Sequence, residues 1–384
     1  MQSALDLALK ALFLSAPNPR VGCVIADSSG KILGGGYTQK RGGPHAEIMA
    51  LADATRTGQN TQGATAYVTL EPCAHHGRTP PCCEALIAAG IKKVVASIAD
   101  PNPLVAGRGF ERLRAAGIEV EVGSGSAEAR ELNIGFFSRM IRKTPWVRMK
   151  MAASLDGKTA LMNGQSQWIT GEAARADGHA WRARSCAVLT GIGTVLEDNP
   201  RLDVRLIDTP RQPHLVVIDS RLETPLNAHL FIPGRSIFIY AAEINDDKKA
   251  ALEARGATVI YLPDGQHKVD LSAMLRDLAQ REVNEVHVEA GHKLNGSFIR
   301  AGLVDELLVY MAPKLIGQAQ AMASFGPLQS LTEAVDLQFL SVDMIGLDLR
   351  VRARKWARPF LAAHCQYCHC SDYKRRSNAL KCAW

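Results

Sequence analysis

Apolar side chains recur along the first part of the chain with two periods, one typical of helices and one typical of strands. These patterns predict helices at 2–15, 45–54, 82–89, 108–115 and 126–142, and strands at 21–25, 31–37, 65–70, 94–98 and 118–122. The run Gly34-Gly35-Gly36 allows either a β-bulge or the close approach of another backbone. Strands that alternate with helices predict an α/β sandwich with a largely parallel sheet.

A second α/β pattern follows Lys143-Thr144-Pro145, a turn signal that ends the preceding helix. This pattern predicts helices near 171–183 and after Gly191, and strands at 146–151, 187–190, 215–218, 236–240, 257–261, 285–289, 305–311 and 346–353. The 384 residues are enough for two domains that each bury a core. We therefore predict one domain at 1–143, a second at 144–355 and a tail at 356–384.

Composition and charge narrow the class of protein. With 47% apolar and 22% charged residues, no apolar run long enough for a membrane span and no secretory signal, we expect a cytoplasmic globular protein with reduced thiols. The net charge of +7 arises at the end of the chain, because residues 351–384 hold eight Lys or Arg and one Asp. The remainder, with 37 basic and 37 acidic residues, is neutral, which argues against a nucleic-acid partner.

The clearest chemical pattern is His45-Ala46-Glu47, followed by Cys73 and Cys82. One imidazole and two thiolates make a three-ligand Zn²⁺ site whose fourth position is open to water. Glu47 is the carboxylate that carries the proton of this water to a leaving amine. The order is the one described for zinc deaminases, although eight residues instead of two separate the cysteines. We predict a catalytic zinc site with His45, Cys73 and Cys82 as ligands.

Two other interpretations explain less of this pattern, and the choice between two adjacent cysteines also affects the ligand assignment. Two buried thiols and a core histidine would not require Glu47 or this order of ligand types. A zinc-stabilised binding module would close the site with a fourth protein ligand and would need no free carboxylate. Cys83 adjoins Cys82, and we expect Cys82 to be the ligand because it directly follows Pro80-Pro81, where a helix N-terminus favours a thiolate.

Weaker signals occur in the second half. Gly191-Ile192-Gly193 lacks the third glycine of a dinucleotide-binding fingerprint, but this turn and the one at 289–294 could present backbone N–H groups to a phosphate. Close-packed turns fit both stretches as well. Lys150 lies on an apolar strand and is more compatible with a cleft than with the core. One further stretch contains three arginines, Arg182, Arg201 and Arg205. They could bind a substrate phosphate through bidentate contacts, or they could be solvent-exposed arginines of the surface.

Longer motifs resemble the bifunctional deaminase–reductase family of riboflavin biosynthesis over about residues 3 to 350. In the first half they are Asn18-Pro19-Arg20-Val21-Gly22, Pro44-His45-Ala46-Glu47, the run from Thr69 to Cys82, Asp100-Pro101-Asn102-Pro103 and Val105-Ala106-Gly107-Arg108-Gly109. In the second half they are Ala153-Ser154-Leu155-Asp156-Gly157, Ser166-Gln167-Trp168-Ile169-Thr170, Asp198-Asn199-Pro200, Val288-Glu289-Ala290-Gly291, Ala301-Gly302-Leu303-Val304-Asp305-Glu306 and Ala312-Pro313-Lys314.

The resemblance implies a cytidine-deaminase-like three-layer sandwich followed by a dihydrofolate-reductase-like domain. It implies zinc-dependent deamination of a diaminohydroxy-pyrimidine that carries a phosphoribosylamino group, and then NADPH-dependent reduction of its ribosyl unit to ribityl. The implied substrate-binding residues are Asn18, His75, Arg78, Lys150, Ser166, Arg182, Leu202, Arg205 and Glu289. The implied cofactor-binding residues are Ala152, Trp168, Thr194, Asp198, Ser220, Gly291, His292, Lys293, Leu294, Asn295, Gly296 and Ser297.

The runner-up interpretation is a zinc deaminase that acts on nucleic acid or on another nucleobase. The neutral body and a second domain of reductase size favour the small phosphorylated pyrimidine instead. We expect no nucleic-acid or membrane partner, and a homo-oligomer is compatible with the sequence.

The tail has no counterpart in the family. Residues 364–370 contain three Cys and two His, and the C-x-x-C spacing of Cys365 and Cys368 would allow a second zinc site. Closed sites normally draw their second ligand pair from a distant segment, and the tail has few apolar residues, so disorder is the favoured interpretation. Truncation after Lys355 is expected to leave both activities and one zinc ion per chain intact.

Overall fold

A computed structural model of the chain describes residues 1–74, 81–103 and 105–355. His75, Arg78 and the tail at 356–384 therefore lie outside the described residues.

The first half forms a five-stranded sheet. Its strands are β1 (Gly22–Ala26), β2 (Ile32–Tyr37), β3 (Thr65–Val68), β4 (Lys93–Ala96) and β5 (Glu119–Val122). Its helices are α1 (Gln2–Leu9), α2 (Ala46–Arg56), α3 (Cys82–Ala88), α4 (Arg108–Ala115), α5 (Ser126–Leu132) and α6 (Ile134–Arg142).

The order of strands in this sheet is β2-β1-β3-β4-β5. β1 pairs antiparallel with β2 and β3, whereas the pairs β3–β4 and β4–β5 are parallel. All five residues of β1 are buried, because it has a partner strand on each side and helices over the sheet. The sheet is thus half parallel, less than the largely parallel sheet that the pattern predicts, because β1 and β2 form a hairpin.

The glycine run in β2 shows how helices cover both faces of the sheet. A Cβ atom on Gly34 would lie 2.3 Å from the carbonyl oxygen of Ala50, and one on Gly36 would lie 2.5 Å from that of Ala46, both in α2. A Cβ on Gly35 would instead lie 3.1 Å from Leu7 of α1. Because successive strand residues point to opposite faces, α1 and α2 lie on opposite sides, and the arrangement is a helix–sheet–helix sandwich. Close approach is therefore what these glycines permit.

Two predicted helices differ from the structure. The helix expected at 2–15 ends at Leu9, because tighter turns follow, with Lys10 N–H donating to the Leu7 oxygen and Ala11 N–H to the Ala8 oxygen. The helix expected at 126–142 is two helices that meet at Asn133, where φ is −110°. The Asn133 side chain binds the backbone of Arg20 at both its N–H (2.7 Å) and its carbonyl oxygen (2.9 Å), which holds the chain out of the helical path.

The second half is built on a nine-stranded sheet and a separate two-stranded ribbon. Its strands are β6 (Trp146–Ser154), β7 (Lys158–Ala160), β8 (Ala187–Gly191), β9 (His214–Ile218), β10 (Ile237–Ala241), β11 (Ala257–Tyr261), β12 (Glu285–Val288), β13 (Glu306–Ala312), β14 (Gln320–Ala321), β15 (Leu337–Ile345) and β16 (Asp348–Lys355). Its α-helices are α7 (Glu172–Arg184), α8 (Ile192–Asp198), α9 (Asp246–Ala254), α10 (Leu271–Gln280) and α11 (His292–Arg300).

The nine strands follow the order β11-β10-β9-β8-β12-β6-β13-β16-β15, and β7 pairs with β14 in the ribbon. Every pairing from β11 to β13 is parallel, and β16 and β15 add an antiparallel hairpin at one edge. The strand periodicity did not predict β15, since its apolar side chains are largely exposed and do not alternate with buried ones. Among the described residues, no helix combines the length and apolar character that crossing a membrane requires.

A group of buried and partly buried charged side chains joins the two halves, and we name it the interdomain cluster. Its members, from both sides of the turn between α6 and β6, are Arg20, Glu131, Arg148, Arg184, Glu285, Glu306, Arg352 and Arg354. Arg20 Nη1 lies 2.6 Å from Glu285 Oε1, and Arg148 lies between Glu285 (3.0 Å) and Glu306 (3.1 Å). Five arginines surround three glutamates, so each carboxylate of the cluster has at least two guanidinium partners, which compensates the cost of burying it.

Candidate active sites

The first site lies where two helices begin beside the end of β3. His45 is the residue before α2, Cys82 is the first residue of α3, and Cys73 lies in the loop after β3. His45 Nδ1 lies 3.3 Å from Cys82 Sγ and 3.6 Å from Cys73 Sγ. The three ligand atoms all lie within 4.8 Å of one another. This donor set and its compactness fit Zn²⁺.

Glu47 lies in the first turn of α2, and its side chain is buried beside the three ligands, with 3% of the residue exposed. Burial, together with the nearby Cys73 sulfur, raises the pKa of Glu47 to about 7. Hydrogen bonding from Cys82 lowers the pKa of Cys73 to about 4, and hydrogen bonding to Cys73 and burial raise the pKa of Cys82. The site therefore combines a ready thiolate with a carboxyl group that both takes up and releases a proton near neutral pH.

Cys83 points away from this group. Its buried Sγ donates to the carbonyl oxygens of Pro72 (3.3 Å) and Gly109 (3.5 Å). In the structure Cys82 is therefore the cysteine of the pair that lies with His45 and Cys73, whereas Cys83 packs between α3 and the start of α4.

Two carboxylates next to Cys73 were not among the predicted site residues. Buried Glu71 accepts hydrogen bonds from the N–H groups of Asp100 (3.1 Å), Gly107 (3.0 Å) and Gly109 (2.9 Å), which ties the segment after β4 to the Cys73 loop. Burial raises the pKa of Asp100 to about 7, and the charges of Glu71 and Cys73 add to the effect. Their position in the sequence could have indicated them. Cys73 and Asp100 follow the neighbouring parallel strands β3 and β4, and the ends of such strands meet at one edge of the sheet.

Asn18 is the one predicted pyrimidine-binding residue of the first half within the described range. It lies in the turn before β1, where its N–H donates to the Ser15 oxygen at 2.9 Å and Ser15 Oγ donates to its carbonyl oxygen at 3.2 Å. These contacts fix the backbone of the turn.

The second site is centred on Glu289, directly after β12. Arg182 of α7 contacts both of its carboxylate oxygens, and Arg182 Nη2 lies 2.9 Å from Oε2. Lys150 of β6 lies 3.6 Å from the same oxygen. Burial would raise the pKa of Glu289, but Arg182 and Lys150 hold it well below its usual value, while burial and Arg182 lower the pKa of Lys150. Three residues predicted for substrate binding are thus brought together as a partly buried ionic group.

His287 is a member of this site that sequence reasoning missed. It is fully buried on β12, and its Nε2 lies 3.5 Å from Glu289 Oε1. Burial lowers the pKa of His287 to about 3, so the ring is neutral at physiological pH. The alternation of Glu285, His287 and Glu289 along one strand face is the signal that could have found it.

The remaining predicted substrate residues are placed around α7 and α8. Arg205 Nη1 lies 2.6 Å from Asp203 Oδ1, and the Asp203 carbonyl oxygen accepts from Arg182 at 3.0 Å. Buried Leu202 has a φ of 51° and its carbonyl oxygen accepts from Arg235 at 2.8 Å. Arg201 also pairs with Asp203, at 3.0 Å, so a shared carboxylate orients both arginines. One hydrogen bond joins two further predicted residues, Ser166 and Asp198.

Several predicted cofactor residues meet where β8 and β12 end side by side. A Cβ atom on Gly291 would lie 3.8 Å from Thr194 Oγ1, and one on Gly191 would lie 3.0 Å from Leu294 Cδ2. Gly191 and Gly291 directly precede α8 and α11, and no side chain caps either helix. The buried Thr190 hydroxyl at the same edge has no partner among the described residues. Free N–H groups at a helix start fit the phosphates of a dinucleotide.

The other predicted cofactor residues of α11 make contacts within the protein. Asn295 Nδ2 donates to the Met322 oxygen at 3.0 Å, and the oxygen of Ser324 would lie 1.8 Å from a Cβ on Gly296. His292 accepts from the Ser324 N–H through its carbonyl oxygen, at 2.9 Å, and that of Lys293 accepts from Ser297 Oγ at 3.2 Å. In the structure these residues hold α11 against the segment at 322–324.

Three predicted cofactor residues lie apart from α11. Trp168 is 62% exposed, its ring lies under the Arg175 guanidinium at 4.5 Å, and its carbonyl oxygen accepts from Lys314 at 3.2 Å. Ala152 lies on β6 beside Tyr310. Ser220 follows β9, and its Oγ accepts from the Val269 N–H at 3.3 Å.

Comparison with known proteins identifies the family. Residues 145–351 match the RibD C-terminal domain, and residues 1–98 match the cytidine and deoxycytidylate deaminase zinc-binding region. The riboflavin biosynthesis protein RibD of Escherichia coli K12 is 45% identical over 363 residues, which cover 91% of this chain and 96% of that protein. The chain belongs to the RibD family. Both the deaminase-like and the reductase-like fold predictions are confirmed.

Solved RibD structures agree over nearly the whole chain. RibD of Acinetobacter baumannii superposes with a TM-score of 0.84 at 41% identity, covering 93% of this chain and 98% of that one. A diaminohydroxyphosphoribosylaminopyrimidine deaminase/5-amino-6-(5-phosphoribosylamino)uracil reductase of Thermotoga maritima gives 0.81 at 33% identity, covering 92% and 97%. As a RibD protein the chain combines a zinc-dependent deaminase with an NADPH-dependent reductase of riboflavin biosynthesis.

Proposed function

We propose that the substrate of the protein is 2,5-diamino-6-(5-phosphoribosylamino)pyrimidin-4-one, in keeping with the diaminohydroxyphosphoribosylaminopyrimidine in the name of the Thermotoga maritima relative. The first site replaces one ring amine by a carbonyl oxygen, with water consumed and ammonia released. The second reduces the ribosyl group of the deaminated product to ribityl. The observation that carries the first step is the buried Glu47 carboxyl beside His45, Cys73 and Cys82.

We assign the zinc ion to His45, Cys73 and Cys82, where it would act as a Lewis acid that makes water acidic near neutral pH. Glu47 removes a proton from the attacking water and delivers it to the departing amine. Its pKa of about 7 suits both halves of this transfer, because the carboxyl group is then neither a strong acid nor a strong base. Asn18, His75 and Arg78 are proposed to hold the pyrimidine and its phosphate-bearing tail.

In the reductase we assign the substrate to the cleft of Glu289, Lys150 and Arg182, with Ser166, Leu202 and Arg205 at its margin. NADPH would supply the hydride, and the starts of α8 and α11 are proposed to hold its phosphates. Burial and Arg182 lower the pKa of Lys150, so its Nζ releases a proton more readily than that of an ordinary lysine, while the ion pair with Glu289 opposes this by stabilising the cation. His287 stays neutral behind Glu289 and adds no charge to the cleft.

We also propose a cytoplasmic location and a homo-oligomer. The five cysteines among the described residues are all free thiols, as expected of a reducing compartment. The edge strand β15 and its turn expose Phe339 (69%), Met344 (61%) and Leu347 (82%), an apolar surface that a second copy would cover. Light scattering of the purified chain measures the mass, and a monomer at micromolar concentration would exclude the oligomer.

The proposed function is tested by supplying the diamino pyrimidine and NADPH in one vessel. Ammonia release should precede NADPH oxidation, and both should reach one equivalent per substrate. Omitting the substrate or removing zinc with a chelator should abolish the ammonia signal, whereas reduction of previously deaminated substrate should survive chelation. NADPH oxidation without ammonia release would show that the first domain is not a deaminase of this substrate.

A further inference from the structure

The turn that carries Asn18 is held from both ends by the reductase half. On one side the Pro17 carbonyl oxygen accepts a hydrogen bond of 2.7 Å from Asn284 Nδ2. On the other side Arg20 Nη1 donates to Glu285 Oε1 at 2.6 Å, and Arg20 Nη2 donates to the Arg184 carbonyl oxygen at 2.9 Å. The residues that flank Asn18 thus contact the second domain directly.

The deaminase half contributes only part of this support. Asn133 binds the Arg20 backbone at two points, and the Leu132 oxygen accepts from Arg20 Nη1 at 2.7 Å. Among the described residues, however, Glu285 is the carboxylate that pairs with the Arg20 guanidinium, and Arg20 is only 5% exposed. A buried cation needs such a partner, so Arg20 keeps this position only while β12 is in place.

The support on the reductase side is rigid. Asn284 and Glu285 are 6% and 1% exposed, and Glu285 begins β12, which has parallel partners on both sides. Asn284 Oδ1 also accepts from Arg139 of α6 at 2.6 Å, so its amide is fixed in the orientation that presents Nδ2 to Pro17. Glu285 is held between Arg148 and Arg184, both at 3.0 Å.

We infer that Asn284 and Glu285 of the reductase half are positioning residues for deamination, because they fix the turn that presents Asn18 to the pyrimidine. The inference rests on the proposed role of Asn18. Neither residue contacts the metal ligands. Their loss should therefore weaken substrate binding at the first site and leave zinc binding and the proton transfer of Glu47 intact.

The test is Asn284→Asp in the full chain. Aspartate keeps the shape and the acceptor for Arg139, but it replaces the donor to the Pro17 oxygen by a carboxylate oxygen that repels it. We expect the KM for ammonia release to rise about fivefold, as the loss of one buried hydrogen bond implies, with kcat changed less than about twofold. Zinc content and reduction of previously deaminated substrate should not change. Arg20→Lys, which keeps the charge but loses the forked contacts, should shift the KM in the same direction.

Glu282→Gln is the matched control, because Glu282 makes another contact across the domains, 2.5 Å from Arg41, without touching the turn. It should leave deamination unchanged. An unchanged KM in Asn284→Asp would overturn the inference. It would also be overturned if Asn284→Asp and Glu282→Gln showed the same rise in KM, the same fall in kcat and the same loss of zinc. Asn18→Ala separates it from the proposed function: if that variant binds substrate normally while Asn284→Asp does not, the turn is positioned as inferred but Asn18 is not its binding residue.

Discussion

In the deaminase half, His45, Glu47 and Cys82 lie in the first turns of two neighbouring helices, and one loop adds Cys73. In the reductase half, Lys150 comes from a strand and Arg182 from a helix, and both meet Glu289, which lies more than 100 residues further along the chain at the end of another strand. The ligand atoms of the deaminase site surround one position, where a metal ion would bind. The reductase site has no such central position, and its side chains are held by ion pairs between opposite charges.

This difference determines how each site is stabilised and how it should respond to change. A metal site depends on the identity of each ligand atom, so replacing one ligand has a discrete effect on metal content. A cleft of paired charges depends on balance, so removing one partner leaves another charge buried without compensation. Substitutions in the two halves should therefore fail in different and separable ways.

The largest expected effect is that of Glu47→Gln. Deamination should fall by about 10²- to 10⁴-fold, because the group that moves the proton is lost, while zinc remains bound and reduction of deaminated substrate continues. Ammonia release and elemental analysis measure the two outcomes. Glu119→Gln removes an exposed carboxylate of β5 that pairs with Lys93; it is the control and should be fully active. Substantial deamination by Glu47→Gln would refute the role assigned to this carboxylate.

A smaller but discrete change is expected in the cysteine pair. Cys82→Ser should lower zinc from one ion per chain towards none, because serine is a poor ligand for Zn²⁺ in such a site. Cys83→Ser should retain zinc, since Cys83 donates to the carbonyl oxygens of Pro72 and Gly109 instead. The reverse pattern would move the ligand by one position and contradict the geometry of the site.

Glu289→Gln tests the balance of charges in the second site. Reductase kcat/KM should fall about 10- to 100-fold, because Lys150 and Arg182 then face each other without the carboxylate. Zinc content and ammonia release should be unchanged. Asp277→Asn removes another carboxylate of the same domain, one that pairs with Arg281, and should leave reduction intact. Equal losses in the two variants would indicate a general loss of stability instead of a role in the cleft.

The smallest effect concerns acid stability. The pKa of Glu285 and that of Glu306 are held low by surrounding arginines in spite of burial. Both carboxylates therefore stabilise the fold above their unfolded pKa of about 4.3, and this stability is lost as the pH falls below that value. We expect the melting temperature to begin to fall near pH 5 and to keep falling towards the low folded pKa values of the two carboxylates, in zinc-free protein as well as in zinc-bound protein. A flat profile would show that the interdomain cluster contributes little.

The two sites also differ in how far the sequence predicted them. The zinc group was predictable because its spacing lies within two short stretches that local structure brings together. The helix break at Asn133 was not, since its cause is a contact with Arg20 more than 100 residues earlier. His287 and β15 were not predicted for a related reason. His287 is a polar residue that is buried, and β15 is an apolar strand that is exposed. Each departs from the local sequence pattern, and only contacts in the tertiary structure explain it.

The interdomain cluster also limits how such proteins can be recombined. A hybrid that joins this deaminase half to the reductase half of a relative would keep Arg20 and Glu131 but exchange Glu285, Glu306, Arg352 and Arg354. Unless the incoming half supplies the same charges at the same places, ions would be buried without partners. The residues of the interdomain cluster therefore depend on one another, and a functional hybrid must exchange the cluster residues of both halves together.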